Sequence, residues 1–147
     1  MQQIPLVDLS RISALTEIIL RAGDASDQSA HRSMQDAYVR PDPDYPGLVG
    51  LSTLFRPGAS LDQLARAGAH VFRHRKLSYS VIARVQQEFG AVGYELVLYV
   101  TPNAQLADHH TLAVARAGSI QPALPDDAAE ALIRALTVVD NPYRPHP

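Results

Sequence analysis

Hydrophobic positions near the start of the chain recur at three- and four-residue steps, the spacing of one face of an α-helix. Over residues 8–22 this face consists of Leu9, Ile12, Leu15 and Ile19. Gly23 follows, and glycine is common just after the end of a helix. A second, more polar pattern over residues 26–38 predicts another helix. We therefore expect N-terminal helices within residues 8–38.

A proline-rich loop and a strand are predicted next. Residues 39–47 contain three prolines, which lack backbone donors and favour extended or turn geometry. Residues 48–55 are mostly apolar and end at a turn signal, so we predict a strand there. Ser60 with Gln63 three residues later matches a capping box, which predicts a helix beginning at this point.

Two further elements are predicted between residues 78 and 101. Ser78 or Ser80 is a suitable cap for a helix that runs to about Phe89. Residues 94–101 are rich in aromatic and β-branched side chains, which favours a strand. Because this strand has apolar residues on both faces, we expect it at the centre of the sheet.

The last elements complete the predicted fold. Residues 110–116 are predicted to form a strand antiparallel to residues 94–101, and Asp126 is predicted to cap a final helix. This order predicts an α+β fold with a small, mostly antiparallel sheet packed by four to five helices. We expect one domain over residues 1–147, with loop 39–47, a mixed core over 48–138 and an extended tail over 139–147.

Composition narrows the classes of function. The chain has 147 residues, a net charge of −2 and no cysteine, which excludes disulfides and thiolate catalysis. The start lacks a basic region followed by an apolar one, so we expect a cytoplasmic protein, or one secreted without a cleavable signal peptide. No segment has the ~20 apolar residues that a membrane span needs, so no membrane contact is expected.

A cationic segment at residues 70–76 is the first candidate site. His70 and His74 lie there beside Arg73, Arg75 and Lys76. Arginine and lysine neutralise phosphate, and histidine transfers protons near neutral pH. An RNA-cleaving enzyme needs both functions close together. The alternative is a solvated loop or strand edge on which basic residues prevent edge pairing.

The histidine pair His109-His110 is the second candidate. Adjacent residues of a strand point to opposite faces, so one imidazole can face a pocket while the other does not. Such a histidine is suited to acid–base catalysis and equally suited to a structural hydrogen bond with the backbone. A metal would need His70, His74, Asp108 and His109 to converge, which requires the fold to bring two segments together. The sequence contains none of the HExxH, Walker A, GxGxxG and GxSxG motifs, and we predict no metal and no cofactor.

Ser52 and Thr53 form the third candidate, because polar residues in an apolar strand can line a cleft. ADP-ribosyltransferases use such a strand together with a catalytic glutamate, for which Glu95 is the candidate here. An arginine or histidine from an early strand, which that chemistry also needs, is missing in the expected place.

These candidates lead to three hypotheses about function. The first is a small toxin- or effector-like enzyme that acts on RNA phosphodiesters by metal-independent acid–base catalysis. Its catalytic residues would be His74, His109 and His110, and its substrate-binding residues are Arg73, Arg75, Lys76, Ser52 and Thr53. The second is a non-catalytic module, such as an immunity protein, adaptor or chaperone, with a cognate protein partner. The third is an NAD-consuming transferase.

Overall fold

The structure, a computed structural model, describes residues 3–144. Its seven strands are β1 (Ile18–Ala22), β2 (Leu51–Leu54), β3 (Lys76–Val81), β4 (Glu95–Val100), β5 (His109–Arg116), β6 (Ser119–Ile120) and β7 (Thr137–Asp140). Its α-helices are α1 (Ala30–Tyr38), α2 (Leu61–Ala67), α3 (Ile82–Ala91) and α4 (Asp126–Ala135). A short 3₁₀ helix covers Leu9–Arg11.

All seven strands belong to one sheet, in which every pairing is antiparallel. The order is β4-β5-β2-β1-β3-β7, and β6 pairs with β5 beyond the start of β2. The prediction of an α+β fold with a small sheet packed by four to five helices is therefore wrong, because the sheet is large and has seven strands. Within residues 3–144 the molecule is a mixed α/β fold whose seven-stranded sheet carries four α-helices.

The largest error lies at the N-terminus, where the predicted helix over residues 8–22 is absent. Ile18–Ala22 form β1 instead, paired on both sides, and Ile19 and Leu20 are completely buried. Leu15, expected on the buried face, is 80% exposed. A short run of apolar residues such as residues 18–20 fits either one face of a helix or a strand that is buried on both faces. Here tertiary packing selects the strand, and the three- and four-residue spacing of the apolar residues is a coincidence.

The segment between residues 76 and 101 contains two more corrections. The serines expected to cap a helix lie inside β3, and α3 begins only at Ile82. Strand β4 is at an edge of the sheet rather than its centre. Its outer edge is covered by the N-terminal segment, where Val7 N–H donates to the Leu98 carbonyl and Val100 N–H donates to the Pro5 carbonyl. Part of this edge is therefore hydrogen-bonded although no further strand of residues 3–144 lies beyond it.

Other predictions are confirmed. The capping box at Ser60 and Gln63 begins α2, strands β4 and β5 pair in antiparallel, and a helix begins at Asp126. Part of the predicted tail is β7, which pairs with β3, and residues 145–147 lie outside the described residues.

Two hydrophobic cores lie against the sheet. The larger contains buried residues of α1, α3 and α4, and the smaller contains Leu64 and Ala65 of α2. In the described part of the chain, no helix is both long enough and apolar enough to cross a membrane.

Candidate active site

The candidate site is a cleft where β1 and β2 diverge. The two strands pair at a single register position, Leu20 with Leu54, and then separate towards the end of β1 and the start of β2. The cleft has a volume of about 890 Å³, within the range of roughly 300–1,000 Å³ found for small-molecule sites. Helix α1, loop 40–44 and the turn after β1 form its other walls.

Gly50 allows β2 to begin close against β5. Its φ of +145° is disfavoured for other residues. A Cβ atom at this position would lie 2.4 Å from Thr111 Cγ2 and 2.7 Å from the Leu112 carbonyl oxygen. Glycine therefore permits the close approach that places Ser52 opposite Thr111 in the sheet.

His109 is held by the ends of two strands. It begins β5 and faces Thr101, the residue that follows β4. Its Nδ1 lies 2.8 Å from the Thr101 carbonyl oxygen, and because a carbonyl only accepts, Nδ1 carries the proton. Nδ1 is also 2.9 Å from Thr101 Oγ1, which is 2.9 Å from Thr111 Oγ1. The buried threonine hydroxyls and the carbonyl thus fix the ring and its tautomer.

The fixed tautomer leaves Nε2 as an acceptor, and Ser52 occupies it. Ser52 Oγ lies 3.0 Å from His109 Nε2, so the hydroxyl donates to the imidazole. Residues diagonally opposite on one face of adjacent strands can reach each other in this way. A hydroxyl, an imidazole and an orienting third group are the arrangement of an activated nucleophile, here with a backbone carbonyl as the third group.

Arg21, the fourth residue of β1, bridges the gap between the diverging strands. Its Nη1 donates to the Ser52 carbonyl at 2.7 Å. No carboxylate of residues 3–144 forms an ion pair with it. Burial lowers the pKa of Arg21 to about 10, so the guanidinium remains a cation at neutral pH.

His74 reaches the same cleft from the other side of β1. It is exposed, and its imidazole lies beside Gly23, where a Cβ would be 3.7 Å from His74 Cδ2. The turn that receives it is fixed by Ser78, whose Oγ donates to the Gly23 carbonyl and accepts from Ala25 N–H. The Asn141 side chain donates to the His74 carbonyl at 3.0 Å.

The rim of the cleft is rich in carboxylates. Five aspartates line it: Asp24, Asp27, Asp36, Asp42 and Asp44. Arg21 and Arg40 are the arginines among its lining residues. The pKa of Asp27 is held below its usual value, mainly by hydrogen bonds from the backbone and side chain of Ser29. The rim therefore carries more negative than positive charge at neutral pH.

The structure brings together only part of the predicted site. His74, His109, Ser52 and Thr53 line the cleft, and Thr53 Oγ1 donates to the His110 carbonyl. His110 does not line it: its Nδ1 donates to the Asp108 carbonyl, and its ring packs edge-on against Phe55. Strand alternation separates the two imidazoles, so the predicted catalytic role of His110 does not fit the geometry.

The basic segment contributes only its histidine to the cleft. Arg73 and Arg75 are exposed and do not line it, and Lys76 forms an ion pair with Asp140. Their predicted substrate-binding role therefore has no support at this site. The electrostatics of the cleft are set by Arg21 and the aspartates instead.

Two other predicted arrangements are also not formed. His70 donates to the Gln105 carbonyl, and in the described part of the chain no three His, Cys, Asp or Glu side chains are grouped to hold a metal ion. Glu95 is exposed at the start of β4, opposite Ala115, and is not a lining residue of the cleft.

Sequence reasoning missed Arg21 and Thr101. Arg21 was assigned to a helix, and an arginine after three apolar residues gives no sign that it faces a cleft. Thr101 was recognised only as a strand end.

No protein-family model matches this chain, and neither the curated proteins nor the solved structures contain a significant match to it.

Proposed function

We propose that this chain is an enzyme that cleaves a small phosphodiester by metal-independent catalysis, with Ser52 as nucleophile and His109 as general base. The observation that carries the proposal is the 3.0 Å hydrogen bond from Ser52 Oγ to His109 Nε2, with Nδ1 anchored on the Thr101 carbonyl. A base that already accepts a hydrogen bond from the attacking hydroxyl meets the geometric requirement for general base catalysis.

In the proposed reaction, Ser52, His109 and His74 of the cleft act together. Ser52 Oγ attacks phosphorus as its proton passes to His109, and the bond from phosphorus to the leaving oxygen breaks. His74, in its protonated form, supplies the proton that the leaving oxygen needs. Water then hydrolyses the phosphoserine ester: His74, now neutral, takes the proton of the attacking water, and His109 returns its proton to Ser52 Oγ as the bond from phosphorus to Ser52 breaks, which regenerates all three groups. Arg21, a fixed cation behind Ser52, favours the negative charge that develops on the phosphoryl oxygens.

The charge of the rim argues for a small substrate. A long RNA carries one phosphate per nucleotide and would place several of them against the five aspartates. Like charges at short range are repulsive, and a partly enclosed cleft screens them less than bulk water does. The expected RNA substrate is therefore narrowed to a phosphodiester of nucleotide or dinucleotide size.

The test is a cleavage assay on a panel of small phosphodiesters: bis(4-nitrophenyl) phosphate, a 2′,3′-cyclic nucleotide and a dinucleotide. We expect turnover that survives EDTA and falls about a hundredfold or more in Ser52→Ala and in His109→Asn. Asparagine retains a donor towards Thr101 but lacks a base at the Nε2 position. Mass spectrometry of quenched reactions should detect phosphate on the peptide that contains Ser52.

Matched controls are available on the same sheet. Ser119→Ala removes an exposed serine hydroxyl from β6, and His110→Asn removes the imidazole on the opposite face of β5; both should retain turnover. No cleavage of any substrate by the folded protein would overturn the proposal and favour the non-catalytic interaction module. Equal activity of Ser52→Ala and the parent would overturn the role of Ser52.

A second candidate function, an NAD-consuming transferase, is favoured by one observation. The arginine on an early strand that this chemistry needs, and that the sequence did not predict, is Arg21, which contacts hydroxyl-bearing β2 through the Ser52 carbonyl. Glu95 cannot be its catalytic carboxylate from its exposed place outside the cleft, so a rim aspartate would have to serve. Release of nicotinamide from NAD, lost in Arg21→Met and retained in Ser52→Ala, would select this function over the first.

A further inference from the structure

Arg21 has more hydrogen-bonding capacity than the protein uses. A guanidinium has five N–H donors in a planar fork, and the one protein acceptor found for it within residues 3–144 is the Ser52 carbonyl. No buried side-chain nitrogen or oxygen in this part of the chain lacks a partner, so the remaining donors of Arg21 are not sealed in the core. They open onto the cleft that Arg21 lines.

Arg21 is half-buried and forms no ion pair with a carboxylate of residues 3–144, whereas folded proteins normally pair a cation that is taken partly out of water. One backbone carbonyl compensates it weakly. Planar bidentate binding of a phosphate or carboxylate is the interaction that suits such a free fork best. Arg21 is therefore a candidate anion-binding point in a cleft whose five aspartates repel anions.

We propose that Arg21 binds the phosphate group of a mononucleotide-sized ligand, while the aspartate rim accepts the hydroxyl-rich end of that ligand and rejects polyanions. Carboxylates are hydrogen-bond acceptors, so Asp24 and Asp27 suit the hydroxyl donors of a ribose. The proposal names the substrate class of the proposed phosphodiesterase and rests on the cleft being its active site.

Binding and turnover can be measured separately. Isothermal titration calorimetry on the His109→Asn protein, which we expect to bind without turnover, would use four probes: adenosine 5′-monophosphate, adenosine, inorganic phosphate and a ten-nucleotide RNA. We expect the monophosphate to bind at least about tenfold more tightly than adenosine, and the RNA to bind more weakly than the monophosphate even at low salt.

Variants identify the anchor. Arg21→Met should weaken monophosphate binding about tenfold or more, and Arg21→Lys should retain part of it because lysine keeps the charge but not the fork. Arg32→Met, an exposed arginine of α1 outside the cleft lining, is the matched control and should bind as the parent does. Loss of binding in Arg40→Met but not in Arg21→Met would overturn the assignment.

The rim is tested by Asp36→Asn together with Asp44→Asn, two side chains that hold no hydrogen bond of the neighbouring turns. The double variant should tighten RNA binding at low salt by about threefold or more and change monophosphate binding less. Unchanged RNA binding would overturn the role of the rim. If the monophosphate binds through Arg21 but no diester is cleaved, the proposed function fails and this inference stands. If Arg21→Met cleaves diesters with the same KM as the parent, the proposed function stands and this inference fails.

Discussion

At the scale of single residues, the neighbouring imidazoles of β5 show how one strand gives two different environments. His109 faces a cleft and holds a serine hydroxyl, whereas His110 faces Phe55 and is 8% exposed. Burial lowers the pKa of His110, and its carbonyl partner only partly opposes that effect. Just below the usual pKa of histidine, His110 is therefore protonated less in the native protein than in an unfolded chain.

This difference predicts how stability depends on pH. Below about pH 6.5, the usual pKa of histidine, the unfolded state binds a proton at residue 110 that the native state does not. The free energy of unfolding should then fall as pH decreases, by at most about 1.4 kcal/mol per pH unit from this group, until the native ring also protonates. His110→Asn should flatten this dependence, measured by urea denaturation between pH 7.5 and 5.

A second imidazole provides the comparison. His74→Asn, at an exposed histidine, should leave the slope of unfolding free energy against pH close to that of the parent. If His110→Asn shows the same slope as the parent and His74→Asn, then His110 takes up its proton equally in both states. Burial would not control its titration in that case.

At the scale of elements, the phenol of Tyr38 on α1 forms hydrogen bonds with the backbone at the edge of β5. Strands β2 and β6 both pair with the same edge of β5, and the gap between them leaves Val114 N–H without a strand partner. Tyr38 fills this gap: its hydroxyl donates to the Gln121 carbonyl at 2.8 Å and accepts from Val114 N–H at 3.2 Å. The ring is completely buried in the larger core. One side chain thus completes the hydrogen bonding of the interrupted sheet edge.

Tyr38→Phe should therefore destabilise the fold although the ring is preserved. It leaves a buried N–H and a carbonyl without their partner, and an unsatisfied buried group costs about 1–3 kcal/mol. The measurement is the free energy of unfolding in urea, with Tyr45→Phe as control because that hydroxyl reaches the Pro102 carbonyl in an exposed loop. A loss below about 0.5 kcal/mol for Tyr38→Phe would show that water replaces the phenol at this edge.

The elements also show what the sequence could predict. Helix α2 was predicted because its capping box is local, and the β4–β5 pair was predicted because β-branched residues and a short connection indicate it. Strand β1 was missed because Ile18, Ile19 and Leu20 are buried on both faces, and such a run has no period of two. Since Arg21 is placed by β1, the same error removed the cation from the predicted site, although Ser52, His74 and His109 were selected.

At the scale of the whole molecule, the sheet has two outer strands, β4 and β7, and the chain covers one of them itself. The segment from Pro5 to Val7 pairs with β4 through two backbone hydrogen bonds and a bridge between Leu6 and Tyr99. Without this segment, β4 would expose a row of unpaired backbone groups along six residues, and an open edge of this kind pairs with other chains. The N-terminal segment thus occupies part of a strand edge that could otherwise pair with another chain.

Deletion of residues 1–8 should increase concentration-dependent association relative to the parent, because the β4 edges of two molecules could then pair. Light scattering after size exclusion would measure the mass over a range of concentrations. Val7→Pro is the finer variant, since it removes only the N–H that donates to the Leu98 carbonyl, and it should give a weaker form of the same effect. The cleft lies between β1 and β2, two strands away from β4, so the deletion variant should still bind ligand if it remains folded. A truncated protein that stays monomeric at every concentration would show that the N-terminal segment is not needed to prevent pairing of β4 with another molecule.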